Sequence, residues 1–284
     1  MKYNIGIIGN GFVGSAISSG FSLKANIRIY DIDKNKRTHS LEETINLSEF
    51  IFLCLPTPMS DTLGGPIDLS IYQECLQKIK EVYKNKNQIF IVKSTVTPGT
   101  TEQFSRTFPE FDFVFNPEFL TERNANLDFI NANRIILGGP KKLTDRVEKL
   151  YRSRFPHKTI LHSDYKTSEM IKYMCNCFFS TKISFLNEMM QVAEHLGVCW
   201  HSAMKGFISD GRIGNSHLEV PGHDGSLGFG GKCFPKDINA MIHFMNSIGV
   251  KPSVLEAVWN KNLEVREVLD WKDIPGAITK RDQE

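Results

Sequence analysis

Gly9-Asn10-Gly11-Phe12-Val13-Gly14 follows the apolar run Asn4 to Ile8 and leads into a helical pattern from Val13 to Leu23. Strand, glycine turn and helix in that order open a dinucleotide-binding βαβ unit. Gly9 permits the tight turn, Gly11 lets the backbone approach a pyrophosphate, and Gly14 lets helix and strand pack closely. The helix start, with Phe12 and Val13, then turns free N–H groups and a positive dipole end toward the phosphates. A second run, Ile27 to Tyr30, ends in Asp31, near the spacing of about 20 residues at which a carboxylate meets the adenosine ribose. That carboxylate accepts from the ribose hydroxyls and repels a 2′-phosphate, so Asp31 points to NAD rather than NADP. The plain alternative is an ordinary turn beside a solvated strand end.

Further along, Glu49 to Leu55, Gln88 to Val92 and Arg134 to Leu137 are apolar almost throughout, as parallel strands covered on both faces must be. Helical stretches fit at Leu69 to Tyr83 and Leu143 to Tyr151, and Ser40 with Glu43 resembles a capping box opening another short helix. From the N-cap Asp164 to Leu196 the chain has no Gly or Pro, which predicts one long helix ended by Gly197. Shorter helices are predicted at Trp200 to Ile208, Pro235 to Ser247 and Ser253 to Leu269. Between them, Ser209 to Gly231, rich in Gly, Ser, His and Asp, predicts a long functional loop. The fold class that follows is α/β: a Rossmann-type parallel sheet domain over residues 1–160, then an all-helical domain over 161–284.

Composition narrows the function. With 34 basic and 32 acidic residues, the chain of 284 residues carries a net charge of +2. Nothing in that balance calls for nucleic acid or an anionic membrane surface. No apolar stretch approaches the ~20 residues of a membrane-spanning helix, and the start at Met1 leaves no room for a signal peptide. The six cysteines show no metal-site spacing, so no metal is expected and a reducing, cytoplasmic setting is.

One thiol stands apart. Gly228-Phe229-Gly230-Gly231-Lys232-Cys233-Phe234-Pro235-Lys236-Asp237 delivers Cys233 just before a helix that Pro235 is suited to start. A helix N-terminus with Lys232 and Lys236 beside it favours the thiolate, which is the nucleophilic form. The other five thiols read as small buried side chains.

Seven blocks now stand in order: GNGFVG with Asp31; LPTP from Leu55; KSTVTPGTT from Lys93; NPEFL from Asn116; EMIKYMCN from Glu169; RIGNSH from Arg212; and GFGGKCFPKD from Gly228. Together they resemble the UDP-glucose/GDP-mannose dehydrogenase family, to which the last block is specific. The resemblance implies a four-electron oxidation of a nucleotide sugar's C6 hydroxyl to a carboxylate with NAD. A thiohemiacetal and then a thioester would form on Cys233. UDP-glucose matches the RIG and GFGG blocks best, with GDP-mannose or a UDP-N-acetylhexosamine as alternatives.

The resemblance also implies roles. Lys172 stabilises the developing oxyanion and Asn176, four residues on, adds a donor. Thr95, Glu118 and Asp237 match the water-positioning and general-base group. Cofactor contacts are implied at Pro56, Thr57, Thr95 and Glu122. Substrate contacts are implied at Glu118, Phe119 and Leu120, at Phe229, Gly230 and Lys236, and at Lys172 and Asn176. Arg212 matches an arginine that reaches the substrate of a neighbouring subunit, which implies a homodimer joined through the long helices of the second domain, especially Ser253 to Leu269.

Three departures accompany the match. The family usually continues into a third domain that helps bind the substrate's nucleotide, whereas this chain stops about fifty residues after Cys233. The segment from Asp31 to Glu49 is short, and Arg123 stands where the substrate loop usually has glycine. Besides an active, compact enzyme, a catalytically inactive NAD-binding subunit and a two-electron relative of the hydroxyacid dehydrogenases are therefore open.

Overall fold

The structure is a computed structural model and describes residues 2–60, 65–84 and 87–279. It divides into two compact units, Met1–Thr57 with Leu69–Lys172, and Pro58–Asp68 with Tyr173–Glu284.

The first unit is built on a 7-stranded sheet in the order β2-β1-β3-β4-β5-β6-β7. Its strands are β1 Tyr3–Ile8, β2 Ala25–Tyr30, β3 Phe50–Leu53, β4 Ile89–Val92, β5 Asp112–Phe115, β6 Arg134–Gly138 and β7 Thr159–Ser163. Helices α1 Phe12–Phe21, α2 Leu41–Asn46, α3 Ser70–Val82, α4 Thr100–Thr107, α5 Ala125–Asn131 and α6 Lys141–Arg154 alternate with them. Strands β1 to β5 pair in parallel. The expectation of a parallel sheet fails at one place, because β6 runs antiparallel to β5. Only a 3₁₀ turn, Glu122–Asn124, and the short helix α5 lie between those strands, and the 7 residues of α5 span roughly 10 Å. It does not carry the chain back to the start of β5, so β6 enters from the end at which β5 leaves.

Strands β5 and β7 and helices α4 and α5 are additions to the sequence reading. β5 is 4 residues long, and β7 is a half-exposed edge strand without an apolar run. In α4 the inward face is Thr100, Thr101 and Phe104, two of them polar, so no apolar period marks it.

The core of this unit is aromatic. Phe21 meets Tyr151, Phe155 and Phe129 edge-on at centroid distances of 5.3, 5.8 and 5.9 Å. Each such pair contributes about 0.5–1.5 kcal/mol beyond its buried area. Gly14 is fixed by contact: a Cβ there would overlap the Gly9 carbonyl oxygen, forcing α1 away from the turn.

The second unit holds most of α7 Tyr165–Leu196, with α8 Trp200–Ile208, α9 Cys233–Ser247 and α10 Ser253–Val265. Asp164 caps α7 by accepting from the Thr167 N–H at 2.9 Å. Gly197, at φ +67°, ends it in a left-handed turn closed by the Val198 N–H on the Ala193 carbonyl at 2.8 Å. Two predicted helix bounds move. α9 begins at Cys233 itself instead of Pro235, and α10 stops at Val265 because Arg266 turns extended. The segment 58–68 joins this unit by β-bridges of Met59 to Ile67 and Ile278. No helix among the described residues is long and apolar enough to cross a membrane.

Candidate active site

At the glycine turn, Gly9 sits at φ +92°, a conformation glycine adopts without strain. Gly11 is the N-cap of α1, and a Cβ built on it would meet nothing within 4 Å. The space over Gly11 is therefore open at a helix mouth whose first N–H groups have no partner within the helix. Asp31 is held at the end of β2, its carboxylate accepting from the Asn10 N–H at 2.7 Å and the Asp33 N–H at 2.8 Å. A carboxylate has about four acceptor positions, so lone pairs remain for a ribose. Open backbone, unpaired donors and a fixed carboxylate together fit a dinucleotide.

The neighbouring loops are pinned to each other. Thr57 is buried and donates its hydroxyl to the Thr95 carbonyl at 3.0 Å, while Ser94 donates to the Leu55 carbonyl at 2.5 Å. Pro56 is exposed. Glu122 lies in a single 3₁₀ turn at the surface.

Behind NPEFL is a buried polar network. Lys93 donates to the Asn116 side chain at 2.9 Å and to the Pro117 carbonyl at 3.4 Å. Tyr151 donates to the same Asn116 oxygen at 2.6 Å, and Asn116 donates to the Ile136 carbonyl at 2.7 Å. Burial pulls the Lys93 ammonium down to about 8. A cavity of about 340 Å³ lies against this loop, lined by Lys93, Asn116, Phe119, Arg134 and Lys158 among others.

The loop's acid meets the long helix. Lys172 donates to Glu118 at 3.1 Å with both side chains almost fully buried. The second Glu118 oxygen accepts from the Leu120 N–H at 2.8 Å. Phe119 places its ring under two cations, Arg134 at 4.7 Å and Lys172 at 5.3 Å. One turn before Lys172, buried Glu169 accepts from the Gly99 N–H at 2.5 Å and the Thr101 N–H at 2.8 Å, capping α4. Burial outweighs those two bonds and raises the Glu169 carboxyl to about 7.

In the second unit, Asn176 donates to Asp237 Oδ2 at 2.5 Å and Lys236 Nζ donates to Oδ1 at 2.5 Å. Asp237 is 1% exposed, so a charge there needs this pair of donors. Cys233 is half-buried and is the first residue of α9, four positions before Asp237. Three other thiols are held in their neutral form, burial pushing Cys54 and Cys75 up to about 12 and Cys177 higher still. Cys199, expected to be buried, is instead exposed at the N-cap of α8 and is lowered by the hydrogen bond it accepts from Ser202. His217 stacks on Phe179 at 4.0 Å and lies edge-on to Phe234, the residue after Cys233, at 5.5 Å. It has φ +60°, and its Nδ1 is buried without a partner. Arg212 is exposed and chelates Asp210 of its own chain at 2.9 Å through Nε.

Within each unit, then, expected residues meet: Thr57 with Thr95, Lys172 with Glu118 and Phe119, and Asn176 with Asp237 and Lys236. Sequence reasoning missed Lys93, Asn116, Glu169 and His217. Each lies inside a quoted block, but buried support residues carry no mark of their contacts in a single sequence.

Known proteins resemble this chain in sequence and in fold. Residues 34–154 match the profile of the UDP-glucose/GDP-mannose dehydrogenase family, NAD binding domain, and residues 166–264 match that family's central domain. The chain is 34% identical over 238 residues to a UDP-glucose 6-dehydrogenase of Rickettsia bellii, covering 82% of this chain and 53% of the relative. A UDP-glucose 6-dehydrogenase of Bacillus subtilis is 33% identical over 81% of this chain and 49% of its own. The chain thus spans about half the length of the curated relatives it matches. A UDP-glucose dehydrogenase structure from Pyrobaculum islandicum superposes with a TM-score of 0.81 at 27% identity, over 93% of this chain and 68% of that one.

Proposed function

The chain belongs to the UDP-glucose/GDP-mannose dehydrogenase family, and from that premise we propose that it oxidises a nucleotide sugar's C6 hydroxyl to the carboxylate through Cys233. NAD is its cofactor, as the family's NAD binding domain implies, and UDP-glucose is the substrate proposed. The observation that carries the proposal is Cys233 itself. It stands half-buried at the first position of a helix, beside a buried Asn176–Asp237–Lys236 cluster, while three other thiols are suppressed by burial.

Gly9, Gly11 and Gly14, with the N–H groups of Phe12 and Val13, take the pyrophosphate, and Asp31 takes the ribose. Pro56, Thr57, Thr95 and Glu122 complete the cofactor contacts. Bound NAD supplies the hydride acceptor for each of two oxidations.

The protein's own groups do the rest. Lys172, aimed by Glu118, stabilises the alkoxide and later the oxyanion, and Asn176, aimed by Asp237, adds a hydrogen-bond donor. The Cys233 thiolate adds to the aldehyde carbon, and the carbonyl oxygen takes up a proton to give a thiohemiacetal. Oxidation of that adduct leaves a thioester. Water, oriented by Thr95 and Asp237 and deprotonated by Glu118, attacks the acyl carbon and expels the thiolate. Capture on sulfur explains why a thiol is needed: the aldehyde stays bound between the two oxidations. Phe119, Leu120, Phe229, Gly230 and Lys236 shape the sugar site.

We further place a homodimer interface on α7. Met170, Met174, Phe178, Phe185, Val192 and Leu196 are 42–68% exposed and recur at helical spacing along one stripe. α10, the helix expected at the interface, turns Val258, Trp259 and Val265 into its own unit. Arg212 would then reach the partner's substrate.

A thermal-shift panel of sugar nucleotides, with and without NAD, tests the substrate assignment, because selective binding raises apparent stability. UDP-glucose with NAD is expected to give the largest shift. A flat response to every UDP sugar would contradict it.

A further inference from the structure

We infer that Asn262, Asn187 and Asp270 are positioning residues for Cys233, gripping the backbone of the glycine loop that carries it. The inference rests on the reading of Cys233 as the nucleophile.

Asn262 is completely buried on α10 and uses both ends of its carboxamide on one residue. Its Oδ1 accepts from the Phe229 N–H at 2.6 Å and its Nδ2 donates to the Phe229 carbonyl at 3.0 Å. Asn187, also buried, accepts from the Gly228 N–H at 3.1 Å. Asp270 accepts from the Gly231 N–H at 3.0 Å. Three side chains from outside the loop therefore hold three of its backbone donors. Arg266 braces the clamp from behind, with its guanidinium 2.8 Å from Asp224 and 3.1 Å from Asp270.

The glycines follow from this grip. A Cβ on Gly228 would overlap Asn262 Oδ1, and one on Gly230 would overlap the Arg266 guanidinium and Asp270. Gly228 and Gly231 stand at φ +69° and +72°, where a side chain is strained. Side chains of this chain alone thus account for the glycines at Gly228 and Gly230. The Phe229 ring is buried beside Trp259 at 6.2 Å and beside Phe234, the residue after Cys233, at 6.1 Å. Backbone clamp and aromatic contacts together leave the sulfur a rigid support. Sulfur must meet an aldehyde carbon along a defined approach, and misplacement by about 1 Å costs on the order of 100-fold in rate.

The test is Asn262→Ala and Asp270→Ser in the full chain, with two readouts. One is the pH profile of Cys233 alkylation by iodoacetamide, followed by mass spectrometry of the Cys233 peptide. The other is steady-state turnover. Both variants are expected to shift the alkylation profile and to lower kcat about 10- to 100-fold, with the nucleotide-sugar KM within about threefold of wild type. Asn262→Asp, which keeps the acceptor for the Phe229 N–H, is expected to recover part of the loss and serves if Asn262→Ala does not fold. Folded variants with a wild-type alkylation profile and kcat overturn the inference, as does a loss confined to KM. Full turnover by Cys233→Ser would instead remove the nucleophile reading, leaving the alkylation result to stand on its own.

Discussion

Lys172 and Glu118 form an ion pair of 3.1 Å with both side chains buried. Each charge supports the other in that buried setting, so breaking the pair from one side removes an opposite charge at hydrogen-bond distance. Glu118→Leu is expected to cost roughly 3–5 kcal/mol of stability. Glu118→Gln preserves the shape and is expected to fold, with kcat reduced far more than KM. Urea unfolding and steady-state kinetics check both outcomes.

Asp31 separates the two nicotinamide cofactors by charge. Asp31→Asn removes the repulsion of a 2′-phosphate while keeping an acceptor for the Asn10 N–H. Its ratio of kcat/KM for NAD over NADP is expected to fall by about tenfold or more, since a tenfold change needs only about 1.4 kcal/mol. An unchanged ratio would place the ribose elsewhere.

Glu169 links pH to stability. Burial raises its carboxyl to about 7 from an ordinary value of 4.5, so the folded state holds the proton more tightly. That contribution is complete below pH 4.5 and is lost as the pH rises through about 7, at up to roughly 1.4 kcal/mol per pH unit. Glu169→Gln is expected to flatten this window in denaturation curves taken from pH 4.5 to 7.5. An identical slope in both proteins would show that Glu169 stays ionised on its two backbone donors.

The exposed stripe on α7 makes an assembly prediction. Phe178→Asp combined with Phe185→Asp is expected to convert a dimer to a monomer in sedimentation velocity. A monomeric wild type, or a dimeric variant, would remove α7 from the interface.

The turn at Gly9 to Gly14, Asp31, the capping box at Ser40 and the bounds of α7 were legible in the sequence because each depends on local rules: φ signs, caps and period. β7 and α4 were not legible, since one is a polar edge strand and the other buries threonines. The antiparallel β6 was hidden because strand direction depends on where a connection returns, which composition does not encode. Among the proposed site residues, the motif blocks pointed to Lys172, Asn176 and Cys233. The partners Lys93, Glu169 and Asn262 stayed hidden because a buried hydrogen bond leaves no periodic trace. Arg212 shows the opposite limit, since its predicted contact lies in a second copy of the chain.

The central claim is that one thiol carries a sugar through two oxidations. Counting NADH formed per UDP-glucose consumed, in wild type and in Cys233→Ser, tests it most directly. Two NADH per sugar in the wild type, with the serine variant stalled at one or inactive, is the predicted result. One NADH per sugar in the wild type, or two in the serine variant, would contradict it.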